Sequence, residues 1–286
     1  MKIDIPKMQL FDFFVFGLVT VVIVAGLSTL IDQQHLQFFE KDLSISYFDT
    51  NGDIVSDTML ISLCTAIPAV IVLCGLFVPN ECDSKKSRSV KVCVFLLGAL
   101  MSGLTAAVTT DIMKKVVGRA RPVALYNCNY LGYKTAVDTG NYTMYNALAT
   151  FGKVGDVSNC WASGAVADMW SSFPSGHASF SFSMMLFTHF VLTQWLRIEK
   201  HNFYGWRSWL AFGPIVLCAW ISVTRIIDNK HHVDDVIAGV AIGCVCAYVA
   251  WRHVTAMTRH AMEVCGVEGK SLLLETSSTG SYKMEV

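Results

Sequence analysis

The run Val92–Thr110 reads VCVFLLGALMSGLTAAVTT, without one charged side chain, and the chain turns basic just beyond it at Lys114. About 20 apolar residues carry a helix across a bilayer. Five further uncharged runs share this character: Phe13–Ile31, Thr58–Val78, Ala178–Leu196, Ser208–Thr224 and Val236–Trp251. The last two are short, and each needs a flanking turn to span. Backbone polar groups cannot stay unpaired in hydrocarbon, so each run is expected as a helix. The expected fold is all-α: an integral membrane six-transmembrane-helix bundle over about 11–31, 57–79, 91–113, 177–197, 208–226 and 233–253. These spans form one domain, 1–253, interrupted by a long loop, 114–173. A Ser/Thr-rich polar tail, 254–286, is expected to be disordered.

Composition agrees with lipid as the solvent. Of the 286 residues 53% are hydrophobic and only 15% charged, against about a quarter charged in a soluble domain. The formal net charge is zero, so there is no overall basic surface and no nucleic-acid partner is expected. Any anion site must come from local clusters. The first run follows Lys2 and Lys7 as a signal peptide would. It is too long for an h-region and no small-x-small cleavage site follows, so it reads as a retained anchor.

Lysine and arginine in short loops mark the cytosolic side. Lys85, Lys86, Arg88 and Lys91 lie before the third run, Arg197, Lys200 and Arg207 after the fourth, and Arg252, Arg259 and Lys270 in the tail. Both termini are therefore expected in the cytosol. The loops 32–57 and 114–173 then face outward or into a lumen. Asn141-Tyr142-Thr143 is an N-glycosylation acceptor within that long loop. Cys128 and Cys160 share the loop, and a disulfide between them is compatible with an oxidising compartment, as are two free thiols. Gly239-x-x-x-Gly243 in the sixth run can let another helix approach closely.

Three clusters carry chemistry, and alternation of six helices brings them to one membrane surface. Lys114 to Pro122 closes the third helix, Pro174-Ser175-Gly176-His177 opens the fourth, and Thr224 to Asp235 links the last two. Lys114, Arg121 and Arg225 supply cations for a tetrahedral dianion, with the arginine fork matching phosphate oxygens. Lys115 and Arg119 read as side chains snorkelling to headgroups. Ser175 and Gly176 offer a hydroxyl and helix N-terminal N–H groups to an anion. His231 and Asp235 stand four apart. If the helix starts near His231, the carboxylate holds one ring N–H and leaves the other nitrogen free to attack phosphorus. His177 can protonate a leaving oxygen and later activate water. His189 and His232 read as structural, and Asp234 as a solvated neighbour. No cluster groups carboxylates as a hard metal requires, so neither metal nor other cofactor is expected.

These clusters resemble the signature of the type 2 phosphatidic acid phosphatase superfamily: K-x6-R-P, then P-S-G-H, then S-R-x5-H-x3-D. Lys114 with Arg121-Pro122 matches the first part, Pro174 to His177 the second, and Arg225, His231 and Asp235 the third, with Thr224 in place of the usual serine. The acceptor Asn141 also suits the lipid phosphate phosphatase (phospholipid phosphatase) branch. The resemblance implies a magnesium-independent lipid phosphate phosphohydrolase acting through a phosphohistidine. His231 would be the nucleophile, Asp235 its orienting partner and His177 the general acid and base. Lys114, Arg121, Ser175, Gly176 and Arg225 would hold phosphate. It implies membrane lipid phosphates as partners: phosphatidic acid, lysophosphatidic acid, sphingosine 1-phosphate, ceramide 1-phosphate and diacylglycerol pyrophosphate. The site would face the extracellular space or an organelle lumen, in a plasma membrane or a Golgi- or vacuole-type membrane. A polyprenyl-diphosphate or sugar-phosphate phosphatase of the same superfamily, and a catalytically silent lipid-binding scaffold, stay open as alternatives, as does a homo-oligomer.

Overall fold

Five long helices make the body of the protein, described here from a computed structural model. The structure describes residues 29–49, 52–77, 85–162, 166–196 and 205–264, with 164, 198 and scattered positions before 29. The long helices are α1 (Asp57–Cys74), α2 (Lys85–Val117), α7 (Gly176–Trp195), α8 (Trp206–Ile227) and α9 (Val233–Val264). Between α2 and α7 lie four short ones: α3 (Ala124–Asn127), α4 (Tyr133–Thr139), α5 (Thr143–Leu148) and α6 (Val166–Met169).

Among the described residues four helices are long and apolar enough to cross a membrane: Asp57–Cys74, Lys91–Val117, Trp206–Ile227 and Val233–Thr258. The expected first span, 11–31, lies for the most part outside the described residues. The expected fourth, α7, has the length but not that apolarity. Its position explains why. It packs against α1, α2, α8 and α9, so its side chains meet other helices. His177, Ser179, Ser181, Ser183 and Thr188 are all buried. Hydroxyls there are satisfied locally: Ser183 and Thr188 donate to carbonyls of their own helix, and Thr110 Oγ1 of α2 donates to Ser179 Oγ at 2.7 Å.

The lateral helix α8 shows the complementary pattern. Trp209, Phe212, Val216, Trp220, Val223 and Ile227 are exposed, while Ala211, Pro214, Cys218, Ile221 and Arg225 are buried. The two stripes alternate at helical period. An exposed apolar stripe of this size suits lipid tails. The bundle core is Val94, Phe95, Met185, Phe187, Ile221 and Val254 with their neighbours.

Two boundaries depart from expectation. α2 runs through Lys114 to Val117, so that lysine sits in a last helical turn instead of a loop. The turn ends at Gly118, whose φ of +57° suits glycine and whose N–H reaches the Lys114 carbonyl at 3.0 Å. A Cβ there would overlap the Gln34 carbonyl. At the other end of the chain, α9 continues to Val264, into the segment expected to be a disordered tail. Residues 265–286 lie outside the described residues.

A second core sits beyond the bundle's end. Phe38 and Ile45 of the first loop pack with Val123, Leu125, Tyr130, Tyr145 and Trp170 of the long loop. Backbone bonds join the two loops, Glu40 N–H to the Lys153 carbonyl and Gly155 N–H to that of Phe38. Cys128 and Cys160 are disulfide-bonded within this cap, Cα–Cα 5.0 Å. Glu40 is 1% exposed yet fully engaged. It takes the Thr150 N–H at 2.6 Å and the Tyr130 hydroxyl at 3.1 Å, with Lys153 at 3.4 Å.

Gly239 and Gly243 bring α9 against α7. A Cβ on Gly243 would stand 2.5 Å from the Ser179 carbonyl and 2.8 Å from Phe182 Cβ. The G-x-x-x-G spacing therefore serves packing inside the bundle. Gly243→Leu should cost at least the 1–3 kcal/mol typical of overpacking, read as a lowered thermal unfolding midpoint in detergent. An unchanged midpoint would mean that the two helices do not meet at this residue.

Candidate active site

Helix ends gather the three clusters under the cap. The C-terminus of α2 brings Lys114, the N-terminus of α7 brings Ser175 to His177, the last turn of α8 brings Arg225, and the short link to α9 carries His231. A helix start on one strand of the bundle thus meets helix ends of its neighbours.

Gly176 leaves room for a cation. An added Cβ would lie 3.5 Å from Lys114 Nζ, in van der Waals contact, so the backbone at Gly176 lies beside the ammonium. Ser175 is the N-cap of α7, its hydroxyl accepting the Ala178 N–H at 3.4 Å, and its own N–H donates to the Asp235 carbonyl at 3.0 Å. Arg121 donates through Nε and Nη2 to the carbonyl and carboxylate of Asp168, at 2.9 and 2.6 Å. Arg225 is buried and donates through Nη2 to Asp228 at 2.5 Å, with Asp53 at 3.7 Å. A guanidinium carries five donors, and these contacts use only part of each.

The two histidines are fixed by backbone carbonyls. A carbonyl only accepts, so each contact defines the protonated nitrogen. His231 Nδ1–H donates to Ser172 O at 2.7 Å, which leaves Nε2 as the bare nitrogen. His177 Nε2–H donates to Val55 O at 3.0 Å, which leaves Nδ1, and Asp57 stands 3.7 Å away. The first loop thus contributes directly, through Val55 and Asp53. Ile54 N–H also donates to Asp228 at 3.0 Å. Lys230 pairs with Asp49 and Asp53 on the same loop.

Three sequence readings need correction. Asp235 does not take a ring N–H of His231. Helix α9 begins at Val233, so His231 precedes the N-cap position and Asp235 stands at the third helical position. From there its carboxylate reaches back to the His232 N–H at 3.0 Å, one half of a capping box. Its other partners are the Ser172 hydroxyl at 2.6 Å and Arg119 Nη1 at 2.7 Å. Arg119 is therefore no snorkelling side chain, since it bridges Asp234 at 2.5 Å and buried Asp235. Asp234, expected as a merely solvated neighbour, is half of that bridge. His189 and His232 do make structural contacts, to the carbonyls of Ala211 and Ala120.

Ser172, Asp228, Asp53 and Val55 escaped the sequence reading. Asp228 was findable, three residues past Arg225 on one helical face. The others meet the site only through tertiary structure. Asn141 is exposed, its side-chain carbonyl accepting the Thr143 N–H at 3.1 Å. Among the described residues no three His, Cys, Asp or Glu side chains converge to hold a metal ion.

Apolar helices surround a buried histidine pair with Lys114, Arg121 and Arg225 at the same end of the bundle, and the chain is an integral membrane protein. The chain belongs to the PAP2 superfamily, whose model matches residues 91–259. The match takes in all three clusters. It is similar to a Schizosaccharomyces pombe protein named probable diacylglycerol pyrophosphate phosphatase 1, 28% identical over 76% of this chain and 71% of that one. It is also similar to diacylglycerol pyrophosphate phosphatase 1 of Saccharomyces cerevisiae, 26% identical over 76% and 70%. Phospholipid phosphatase 1 of Rattus norvegicus is 30% identical over 65% and 62%. No solved structure matches the chain.

His231, in the link outside the spanning helices, has its ring pKa held well below the ordinary value, first by burial, then by the charges of Arg121 and Lys114. A depressed folded value gives stability that is whole above the ordinary pKa of about 6.5 and is lost as pH falls toward the folded value. The stability of the wild type relative to His231→Gln should therefore decline between pH 7.5 and 5, measured by thermal unfolding in detergent. An identical difference at both pH values would mean that the ring charges freely in the folded protein.

Proposed function

We propose that this chain is a magnesium-independent phosphatase of membrane lipid phosphates, acting through a phosphohistidine at His231. The observation that carries the reading is the Nδ1–H bond of buried His231 to Ser172 O. It leaves Nε2 as a nucleophile among cations that act on the same ring. In the first step His177 carries a second proton on Nδ1 as an imidazolium while Nε2–H stays on Val55 O. Nε2 of His231 attacks phosphorus, the bond to the lipid oxygen breaks, and that oxygen takes the Nδ1 proton of His177. In the second, a water gives a proton to His177 Nδ1 and attacks phosphorus, the bond from phosphorus to His231 Nε2 breaks, and phosphate leaves. Lys114, Arg121 and Arg225 neutralise the three equatorial oxygens, with the Ser175 hydroxyl and the α7 N-terminus at Gly176 adding donors. Cations in place of a metal account for independence from magnesium.

The substrates are phosphatidic acid, cleaved to diacylglycerol, and related lysophosphatidic acid, sphingosine 1-phosphate, ceramide 1-phosphate and diacylglycerol pyrophosphate. A site at a bundle end beside lipid-facing stripes suits a headgroup whose tails stay in the membrane. Two relatives named for diacylglycerol pyrophosphate favour a terminal phosphate of a diphosphate as one substrate. Polyprenyl diphosphates and sugar phosphates are the rival substrates. A silent scaffold is disfavoured because both histidines are present. The full arrangement is six spans with cytosolic termini and the capped site on the outer or lumenal side.

Phosphate release from phosphatidic acid micelles in EDTA should fall by about 10⁴-fold or more in His231→Ala, by analogy with other lost nucleophiles. Activity within tenfold of wild type would remove His231 from its role, and loss of wild-type activity in EDTA would remove the metal-free chemistry. Faster release from soluble glucose 6-phosphate would favour the sugar-phosphate reading. Asn141 should lose mass on glycosidase treatment of protein from a eukaryotic host, and an unchanged mass would count against the lumenal side.

A further inference from the structure

Ser172 belongs to none of the three clusters, yet every polar group it has is committed to them. Its N–H donates to the Arg119 carbonyl at 3.0 Å, its hydroxyl to Asp235 Oδ2 at 2.6 Å, and its carbonyl accepts His231 Nδ1–H at 2.7 Å. The residue is wholly buried, as is Asp235, and His231 nearly so. The Asp235 carboxylate is held from its far side by Arg119 Nη1 at 2.7 Å. Asp235 and His231 therefore communicate through a third residue. The chain of contacts runs Arg119, Asp235, Ser172, His231.

We propose that Ser172 is the positioning residue that couples Asp235 to the nucleophile, with Arg119 as the anchor of that coupling. This rests on the phosphohistidine reading above. Carboxylate and carbonyl cannot bond each other, because both only accept. A hydroxyl beside the carbonyl resolves this. The Oγ–H of Ser172 satisfies Asp235, and its bond fixes the side chain on the backbone whose C=O holds the ring. The hydrogen bond to an ionised acceptor is the stronger class. Without it, the Ser172 carbonyl still accepts Nδ1–H, but the peptide that carries it loses one of its two tethers. Nε2 then wanders relative to phosphorus, and displacements near 1 Å can cost about 10²-fold in rate. Phosphate binding is untouched, because Arg121 is held by Asp168, Arg225 by Asp228, and Lys114 lies beside Gly176.

Full-length wild type, Ser172→Ala, Arg119→Gln, Arg119→Lys and His231→Ala would be assayed in phosphatidic acid micelles. The readouts are kcat, KM, orthovanadate inhibition and the rate of phosphohistidine formation by rapid quench. Ser172→Ala should lose about 10- to 100-fold in kcat and in phosphohistidine formation, the range for residues supporting a reacting group. KM and vanadate inhibition should stay within about twofold, since uniform binding is unchanged. Arg119→Gln should reproduce the loss, and Arg119→Lys should recover most of it, because an ammonium still anchors the carboxylate. Arg119 is partly exposed, so its variants remain informative if Ser172→Ala does not fold. Wild-type kcat in both Ser172→Ala and Arg119→Gln would overturn the proposal, as would a loss falling equally on KM and vanadate inhibition. An active His231→Ala would instead sink the nucleophile itself, whereas an inactive His231→Ala beside a fully active Ser172→Ala sinks only the coupling.

Discussion

A carboxylate that is 0% exposed, Asp235, ties together segments far apart in the chain. Isolated, such a charge costs several kcal/mol to bury, so it persists only where donors surround it. Arg119 from the turn after α2, the Ser172 hydroxyl from the segment before α7, and the His232 N–H beside His231 supply them. The Ser175 N–H takes the backbone carbonyl of the same residue. Each of the three sequence clusters, or the segment next to it, thus contributes at least one donor to a single residue. The geometry around His231 follows from satisfying that charge, and the close approach of α9 to α7 at Gly239 and Gly243 keeps the donors within reach.

The cap adds a second layer of control. The first loop delivers Val55 O to His177 and Asp53 to Arg225, so the proposed general acid and one proposed phosphate-binding cation are both held by a segment that belongs to no motif. The Glu40 cluster and the Cys128–Cys160 bond give this cap its own core. Burial works to raise the Glu40 pKa, but the Thr150 N–H, the Tyr130 hydroxyl and Lys153 together hold it below the ordinary carboxylate value. The carboxylate therefore favours the folded cap above that ordinary value and ceases to do so as pH falls through the depressed one.

Hydropathy made the lipid-facing helices legible, because α1, α2, α8 and α9 must present apolar surface to their solvent. It was least informative for α7, whose neighbours are protein and whose serines are satisfied by helix carbonyls. Motif spacing singled out the helix-end cations and both histidines, and the structure gathers them at one end of the bundle. It misread the partners. Four-residue spacing suggested a direct His231–Asp235 contact, but the helix starts after His231, and the capping requirement of its first turn claims the carboxylate instead. Arg119 looked like one more interfacial cation because its two acidic partners lie 115 and 116 residues away. Ser172 carried no signal at all, being one serine of a Ser-Ser-Phe-Pro turn whose value depends on what tertiary structure brings beside it.

The pairing of the first loop with the last one also dictates an order of assembly. Ile54 bonds Asp228 across 174 residues, and Val55 reaches His177 across 122. During synthesis the first loop leaves the ribosome long before either partner exists. It can pair with the long loop and with His177 as these are made, but its bond to Asp228 has to wait for the end of α8. The contacts around Asp228 and His231 thus depend on segments made after the first loop and the long loop. A chain truncated before α9 would keep His231 but lack Asp235, the carboxylate that Arg119 and Ser172 hold.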